Sequence, residues 1–123
     1  MSQHRKHRGY ATQRLLAQYL RDNGWAYAES TGAGRAGSDI TGVPFDIEVK
    51  ARTGFQPAAL MKQLDERKSD KLGFGVLRLN GQGEANIDNW VAMLRLEDLI
   101  ELLRRVHFPM QSMREMDNKS ESM

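Results

Sequence analysis

The chain contains no cysteine and only three prolines among its 123 residues. Without cysteine, disulfide bonds and thiolate metal sites are excluded, and a reducing compartment is compatible with the fold. No apolar run approaches the roughly 20 residues that span a bilayer, and no apolar segment resembling a signal peptide follows the basic N-terminus. We therefore expect a cytoplasmic protein with no membrane partner.

A strong excess of one charge sign is also missing, since 18 Lys and Arg oppose 16 Asp and Glu, for a net charge of +2. The distribution of charge is more informative than the total, because basic residues concentrate in the first eight positions and recur at Arg35 and Arg52. A basic arm beside a glycine-rich loop suits contacts with phosphate groups. A solvated tail that merely aids solubility is an equally good interpretation of the arm.

Hydrophobic periodicity predicts the order helix, three strands, helix, two strands, helix. The predicted helices cover 9–23, 58–68 and 97–106, and the predicted strands cover 25–29, 39–41, 44–51, 72–79 and 90–96. This order is typical of a small α/β domain with a mixed sheet flanked by helices. We expect a basic N-terminal arm at 1–8, a single domain at 9–108 and a flexible tail at 109–123.

The predicted strand at 44–51 alternates between apolar and charged side chains. Phe45, Ile47 and Val49 point one way, and Asp46, Glu48 and Lys50 point the other. The strongly apolar side indicates a central strand, and a tight turn at 42–43 would let a hairpin bring Asp39 beside Glu48. A charged strand face is most often simply a solvated face, and that interpretation stays open.

Paired carboxylates followed by lysine have a chemical rationale. Two carboxylates held close repel each other, and Mg²⁺, a hard cation that takes oxygen ligands, relieves the repulsion. Asp39, Glu48 and the backbone carbonyl of Val49 are the candidate ligands, and a cation held there would make a bound water a competent nucleophile on phosphorus. Lys50 could orient that water or stabilise charge developing in the transition state.

The segment Gly37-Ser-Asp39 followed by Asp46-Ile-Glu48-Val-Lys50 resembles the D…ExK core of the PD-(D/E)xK nuclease superfamily. Ser38 stands where that pattern has proline. Over roughly positions 8–105 the chain is similar to small Holliday-junction-resolvase-like nucleases of phages and bacteria. The ordered features behind this likeness are the segments 8–13, 32–39 and 48–52 and the pair Lys62-Gln63.

The resemblance implies a restriction-endonuclease-like core with a central mixed β-sheet flanked by helices. It makes Asp39 and Glu48 ligands of Mg²⁺ or Mn²⁺ and Lys50 the catalytic lysine. Gln13 stands where many relatives carry a glutamate, and a hydrogen bond to a metal-held water is its implied role. Gln63 would contact the scissile phosphate or Lys50. Asp46, as a third ligand or a residue at the edge of the site, stays open.

The implied function is a metal-dependent DNA endonuclease that selects branched DNA. The expected DNA contacts come from Arg5, Lys6, Arg8, Arg35, Ser38 and Arg52. A resolvase cuts two strands symmetrically, which implies a C2 homodimer in the cytoplasm of a bacterium or a phage-infected cell. The letters GxGxxG at 32–37 lack a following helix, so no nucleotide cofactor is expected.

Three other functions remain open from the sequence. The chain could be a different PD-(D/E)xK nuclease of the restriction or repair type. It could be a nucleic-acid-binding module that has lost catalysis, although the intact Asp39, Glu48 and Lys50 argue against this. It could also be a structural domain whose charged strand faces water.

Overall fold

The structure, a computed structural model, describes residues 2–32, 37–51 and 56–108, with side chains from position 9 onward. The elements are helix α1 (Ser2–Asp22), strands β1 (Glu29–Ser30), β2 (Ile40–Thr41) and β3 (Phe45–Ala51), helix α2 (Pro57–Arg67), strand β4 (Leu72–Arg78), a 3₁₀ helix (Glu84–Asn89), strand β5 (Val91–Met93) and helix α3 (Leu96–His107). This order confirms the predicted succession of helices and strands and the α/β class. The 3₁₀ helix was not predicted.

A mixed three-stranded sheet lies at the centre of the fold, in the order β3-β4-β5. β3 and β4 are parallel, with Glu48 opposite Gly75, and β4 and β5 are antiparallel. β1 and β2 form a separate antiparallel pair. The mixed sheet is thus confirmed. The expectation that β3 is a central strand is wrong, because in the described part of the chain β3 is the edge of the three-stranded sheet.

The two faces of β3 pack against different helices. Ile47 and Val49 join Leu16 and Ala17 of α1 in the larger hydrophobic cluster. Leu60 and Leu64 of α2 form the smaller cluster with Leu77 of β4. Because side chains alternate along a strand, the face that carries Asp46, Glu48 and Lys50 is the face that α2 covers. The prediction of helices flanking the sheet is confirmed for α1 and α2.

Three predicted boundaries are wrong by more than one residue, and one of them is the end of β5, which is at Met93 rather than at position 96. The strand predicted at 25–29 is mostly a turn, because Gly24 has a positive φ of 114° and the Ala28 N–H donates to the carbonyl of Trp25. α1 begins at Ser2 rather than at position 9, so residues 2–8 of the predicted arm are helical. Lys, Arg and Gln favour the helical conformation, but residues 2–8 contain no apolar side chains. Because the helix was predicted from the spacing of apolar residues, this extension was not predicted.

The chain divides into two compact units, Met1–Met93 and Leu94–Met123, so the predicted domain at 9–108 spans both. In the second unit the structure describes α3, whose first turn is acidic and whose last turn is basic. Its apolar side chains, Leu96, Leu99, Ile100, Leu103 and Val106 among them, are exposed. The predicted tail at 109–123 lies outside the described residues. Across the described ranges, no helix combines the length and the apolar character needed to cross a bilayer.

Candidate active site

Asp39 is held against the edge of β3 by a short run of hydrogen bonds. The N–H of Ile47 donates to Ser38 Oγ at 2.9 Å, and the N–H of Asp39 donates to the carbonyl of Ile47 at 2.9 Å. The N–H of Val49 donates to Asp39 Oδ2 at 2.7 Å. The side chains of Ser38 and Asp39 thus accept hydrogen bonds from the backbone of β3, as the carbonyl groups of a neighbouring strand would. The predicted position of Asp39 beside the strand that carries Glu48 is confirmed.

The turn between β2 and β3 requires glycine at position 42. Gly42 has a φ of 76°, and a Cβ there would collide with the carbonyl oxygen of Tyr27. This conformation lets the chain turn back after β2 and enter β3, so that Asp39 lies beside the edge of β3. The predicted turn at 42–43 therefore has a specific structural basis.

The carbonyl of Val49 faces the same edge of β3 as Asp39. In a β-strand the N–H and C=O of one residue point to the same side. Since the Val49 N–H donates to Asp39, the Val49 carbonyl also points away from β4. The backbone oxygen predicted as a ligand thus lies on the side of the strand that Asp39 occupies.

Glu48 and Lys50 lie on one face of β3, as the alternation predicted. Lys50 Nζ is 3.2 Å from Glu48 Oε1. This face is not solvated, because Asp46 and Glu48 are only 4% and 7% exposed. The interpretation of the charged side as an ordinary solvated face is therefore wrong.

Arg67, at the end of α2, is the residue of the site that sequence reasoning missed. Its Nη1 donates to Glu48 Oε2 at 2.7 Å, and its Nε donates to Asp46 Oδ1 at 2.9 Å and Oδ2 at 3.1 Å. Its Nη2 lies 2.9 Å from Asp46 Oδ1 but without the alignment of a hydrogen bond. The guanidinium group therefore bridges the two carboxylates that β3 presents to α2.

Both carboxylate oxygens of Asp46 are within hydrogen-bonding distance of the Arg67 guanidinium. An isolated buried carboxylate is costly, and a paired one is tolerated. These contacts argue against Asp46 as a third cation ligand and make it a partner of Arg67, a role that was not predicted from the sequence.

The pKa of Asp39 is raised from 3.8 to about 6. Burial is the main cause, and the nearby charge of Glu48 adds to it. The hydrogen bond from Val49 and the charges of Lys50 and Arg67 act in the opposite direction without cancelling the shift. Asp39 therefore occupies a position in which further positive charge would stabilise its ionised form.

A cavity of about 320 Å³ opens beside Lys50, at the carboxyl ends of the parallel strands β3 and β4. Its polar lining includes Gln56, Lys62, Gln63 and Glu66 of the segment that leads into and forms α2. Open α/β sheets bind ligands at the carboxyl ends of their strands. The structure thus brings Gln63 to the same cavity as Lys50, while the catalytic role of Gln63 remains a prediction.

Gln13 is buried, with 8% of its surface exposed, and among the residues that the structure describes its Oε1 has no hydrogen-bond partner. The neighbouring Thr12 accepts a hydrogen bond from Arg78, which pairs with Ala51 at the end of β3. Gln13 therefore lies near the Lys50 end of β3. α1 packs on the face of β3 that carries Ile47 and Val49, so Gln13 approaches from the side of the sheet opposite to Glu48 and Lys50. The predicted role of Gln13 stays a prediction.

Ser38 is the one predicted DNA contact whose side chain the structure describes. Arg35 and Arg52 lie outside the described residues, as do the side chains of Arg5, Lys6 and Arg8. Ser38 is described, and its hydroxyl donates to the carbonyl of Ile40 at 2.8 Å while accepting from Ile47. Its observed contacts are therefore structural.

The candidate ligand set consists of oxygen atoms only: the carboxylates of Asp39 and Glu48 and the carbonyl of Val49. Hard oxygens suit Mg²⁺ or Mn²⁺, and a bound cation would stabilise the ionised form of Asp39, whose pKa is raised mainly by burial. The residues present therefore fit a divalent cation. Within the described part of the chain, no group of three or more His, Asp and Glu side chains has metal-binding geometry.

The chain was compared with family models, with curated proteins and with solved structures, and none of them matches.

Proposed function

We propose that this protein is a metal-dependent DNA endonuclease that hydrolyses phosphodiester bonds at Asp39, Glu48 and Lys50. One arrangement of side chains carries the proposal. Asp39 accepts a hydrogen bond from the Val49 N–H, next to Glu48, and Glu48 Oε1 is 3.2 Å from Lys50 Nζ at the rim of a cavity. Two carboxylates, a lysine and an open cavity in this arrangement suit phosphodiester hydrolysis and match the resemblance to PD-(D/E)xK nucleases.

Each residue has a separate task in this reaction. Asp39, Glu48 and the Val49 carbonyl would hold Mg²⁺ or Mn²⁺, and a bound cation supplies Lewis-acid polarisation of the phosphate and a more acidic water. Lys50 lines the cavity and carries a positive charge that stabilises the extra negative charge on the transition-state phosphate oxygens. Gln63 and Lys62 contribute an amide and an ammonium group for binding the DNA backbone.

The preferred substrate in this proposal is branched DNA, such as a four-way junction. The preference comes from the sequence resemblance to Holliday-junction-resolvase-like nucleases. Symmetrical cutting of a junction requires two active sites, and we therefore expect a homodimer with two-fold symmetry.

The exposed apolar side of α3 is the surface we assign to this homodimer. Leu96, Leu99, Leu103 and Val106 follow the 3-4-3 spacing of a helix-pairing seam, and all four are exposed. An antiparallel pair of α3 helices brings the acidic first turn of one copy level with the basic last turn of the other. A parallel pair would align like charges, so charge complementarity favours the two-fold antiparallel arrangement.

Cleavage of labelled four-way junction, flap, duplex and single-stranded DNA, each with Mg²⁺ and with EDTA, tests the function. Wild type and Glu48→Ala should be compared side by side. We expect Mg²⁺-dependent cutting that prefers the junction and is lost in the variant. A preference for linear duplex would contradict the resolvase assignment and favour a restriction-like or repair nuclease of the same type.

The alternative from another class is a nucleic-acid-binding module without catalysis. It predicts DNA binding with no cutting in Mg²⁺ or Mn²⁺, and no effect of Glu48→Ala on cellular function. The intact Asp39, Glu48 and Lys50 and the cavity beside them favour the nuclease.

A further inference from the structure

We propose that Arg67 is a positioning residue that fixes the Glu48 carboxylate for cation binding, with Asp46 as its anchor. The inference rests on the proposed function, because it assigns a role at the same site. It goes beyond the D…ExK pattern, which contains neither Arg67 nor a role for Asp46.

The guanidinium group of Arg67 reaches both carboxylates of β3 at once. Asp46 and Glu48 are two residues apart on β3, so their Cα atoms are separated by roughly 6.6 Å. Arg67 spans this interval with different nitrogens, since Nε donates to Asp46 and Nη1 donates to Glu48. A rigid planar fork bonded at both ends fixes the direction of each carboxylate, which a single ammonium charge cannot do.

The two carboxylate oxygens of Glu48 have different partners. Arg67 donates to Oε2 at 2.7 Å, and Lys50 approaches Oε1 at 3.2 Å. With Oε2 held by α2, the carboxylate is kept from rotating, and Oε1 remains on the side of Lys50. Hydrogen bonds that orient a ligating carboxylate typically change metal affinity by about 10- to 100-fold when they are removed.

Burial strengthens the constraint. The Asp46 side chain is 5% exposed and the Arg67 side chain 18%. The Asp46 carboxylate is therefore largely shielded from water, and breaking its pairing with Arg67 would leave a buried charge without a partner. The position of Arg67 also follows from the helix, because it lies seven residues after Leu60 and three after Leu64, on the buried side of α2.

Mn²⁺ binding to the full-length, metal-free protein tests this role, measured by calorimetry and by electron paramagnetic resonance. Arg67→Lys keeps the positive charge but cannot bridge both carboxylates, and we expect it to weaken Mn²⁺ binding by about 10- to 100-fold. Arg67→Met should weaken binding similarly. Asp46→Asn, which leaves Arg67 on Glu48 but loosens its anchor, should have a smaller effect of the same sign.

A simple counter-charge predicts different results. If Arg67 only neutralises buried carboxylates, Arg67→Lys binds Mn²⁺ like wild type, and Arg67→Met binds it more tightly because a repelling charge has gone. Either result overturns the positioning role. Circular dichroism verifies the fold of each variant. If Arg67→Met does not fold, the Mn²⁺ affinities of Arg67→Lys and Asp46→Asn still distinguish the positioning role from a simple counter-charge.

Mn²⁺ binding and DNA cleavage, measured on the same proteins, separate the role of Arg67 from the nuclease function. If wild type binds Mn²⁺ and cuts DNA while Arg67→Lys keeps the wild-type affinity, the inference alone is wrong. If wild type binds no Mn²⁺ and cuts no DNA, the proposed function and the positioning role are both overturned.

Discussion

The close packing of α2 against β4 depends on glycine at position 75. A Cβ added to Gly75 would lie 2.9 Å from both Cγ and Cδ1 of Leu60 and still closer to Cδ2. Carbon atoms in contact are normally about 3.5–4.0 Å apart. Because three atoms of the same buried side chain collide, rotation of one methyl group does not relieve the clash. Gly75→Ala must therefore shift Leu60 or α2.

We expect Gly75→Ala to lower the free energy of unfolding by about 1–3 kcal/mol, the usual cost of overpacking a core. Gly73→Ala is a matched control in the same strand, because its nearest neighbour, Leu64 Cδ2, is at an ordinary distance of 3.5 Å. Gly73→Ala should change stability by less than about 1 kcal/mol. Urea denaturation of both variants gives the comparison.

The double variant Gly75→Ala, Leu60→Ala identifies the clash. Leu60→Ala alone should cost about 2–5 kcal/mol through the cavity it leaves. The double variant should be less destabilised than the sum of the two single variants, because the smaller side chain makes room for the new methyl group. Equal stability of Gly75→Ala and Gly73→Ala, or strict additivity in the double variant, would refute the packing argument.

Three further predictions concern the site and the second unit. The pKa of Asp39 is raised from 3.8 to about 6 in the folded protein. The stability that Asp39 contributes is therefore present below pH 3.8 and is lost as the pH rises through 6. In urea unfolding with EDTA, the free energy of unfolding of Asp39→Asn should rise relative to that of wild type across this interval, and a constant difference between the two proteins would contradict this. Lys50→Met should slow single-turnover cleavage by about 10²- to 10³-fold with Mn²⁺ affinity retained, whereas Lys62→Met should mainly weaken DNA binding and reduce its salt dependence; equal effects on cleavage rate would argue against the separate roles. Leu103→Asp should convert a dimer into a monomer in sedimentation experiments, and a monomeric wild type would exclude the α3 dimer.

Strand alternation predicted the part of the site that depends on local geometry. It placed Glu48 and Lys50 on one face, and the glycine turn predicted the return of the chain beside Asp39. Both features are set by neighbours in sequence, and both are present in the structure. The burial of this face under α2 depends on tertiary packing, which a strand pattern does not specify.

Arg67 could not be predicted from the D…ExK spacing, because it lies 19 residues after Glu48 on another element. A signal was nevertheless present, since Arg67 continues the apolar stripe of Leu60 and Leu64. A cation in the buried stripe of a helix, opposite two carboxylates on a strand, indicates a buried ion pair. The misplaced first strand had no such signal, because the turn at Trp25 depends on the backbone conformation of Gly24.

In the proposed reaction, Glu48 acts with Asp39, Lys50 and a divalent cation to hydrolyse phosphodiester bonds. Single-turnover cleavage of the best DNA substrate in Mg²⁺, comparing wild type, Glu48→Gln and Asp70→Asn, tests this most directly. Glu48→Gln preserves size and removes the ligand charge, while Asp70 is an exposed carboxylate outside the site. We expect cutting to be abolished in Glu48→Gln and unchanged in Asp70→Asn. Metal-dependent cutting by Glu48→Gln at the wild-type rate would contradict the proposed reaction.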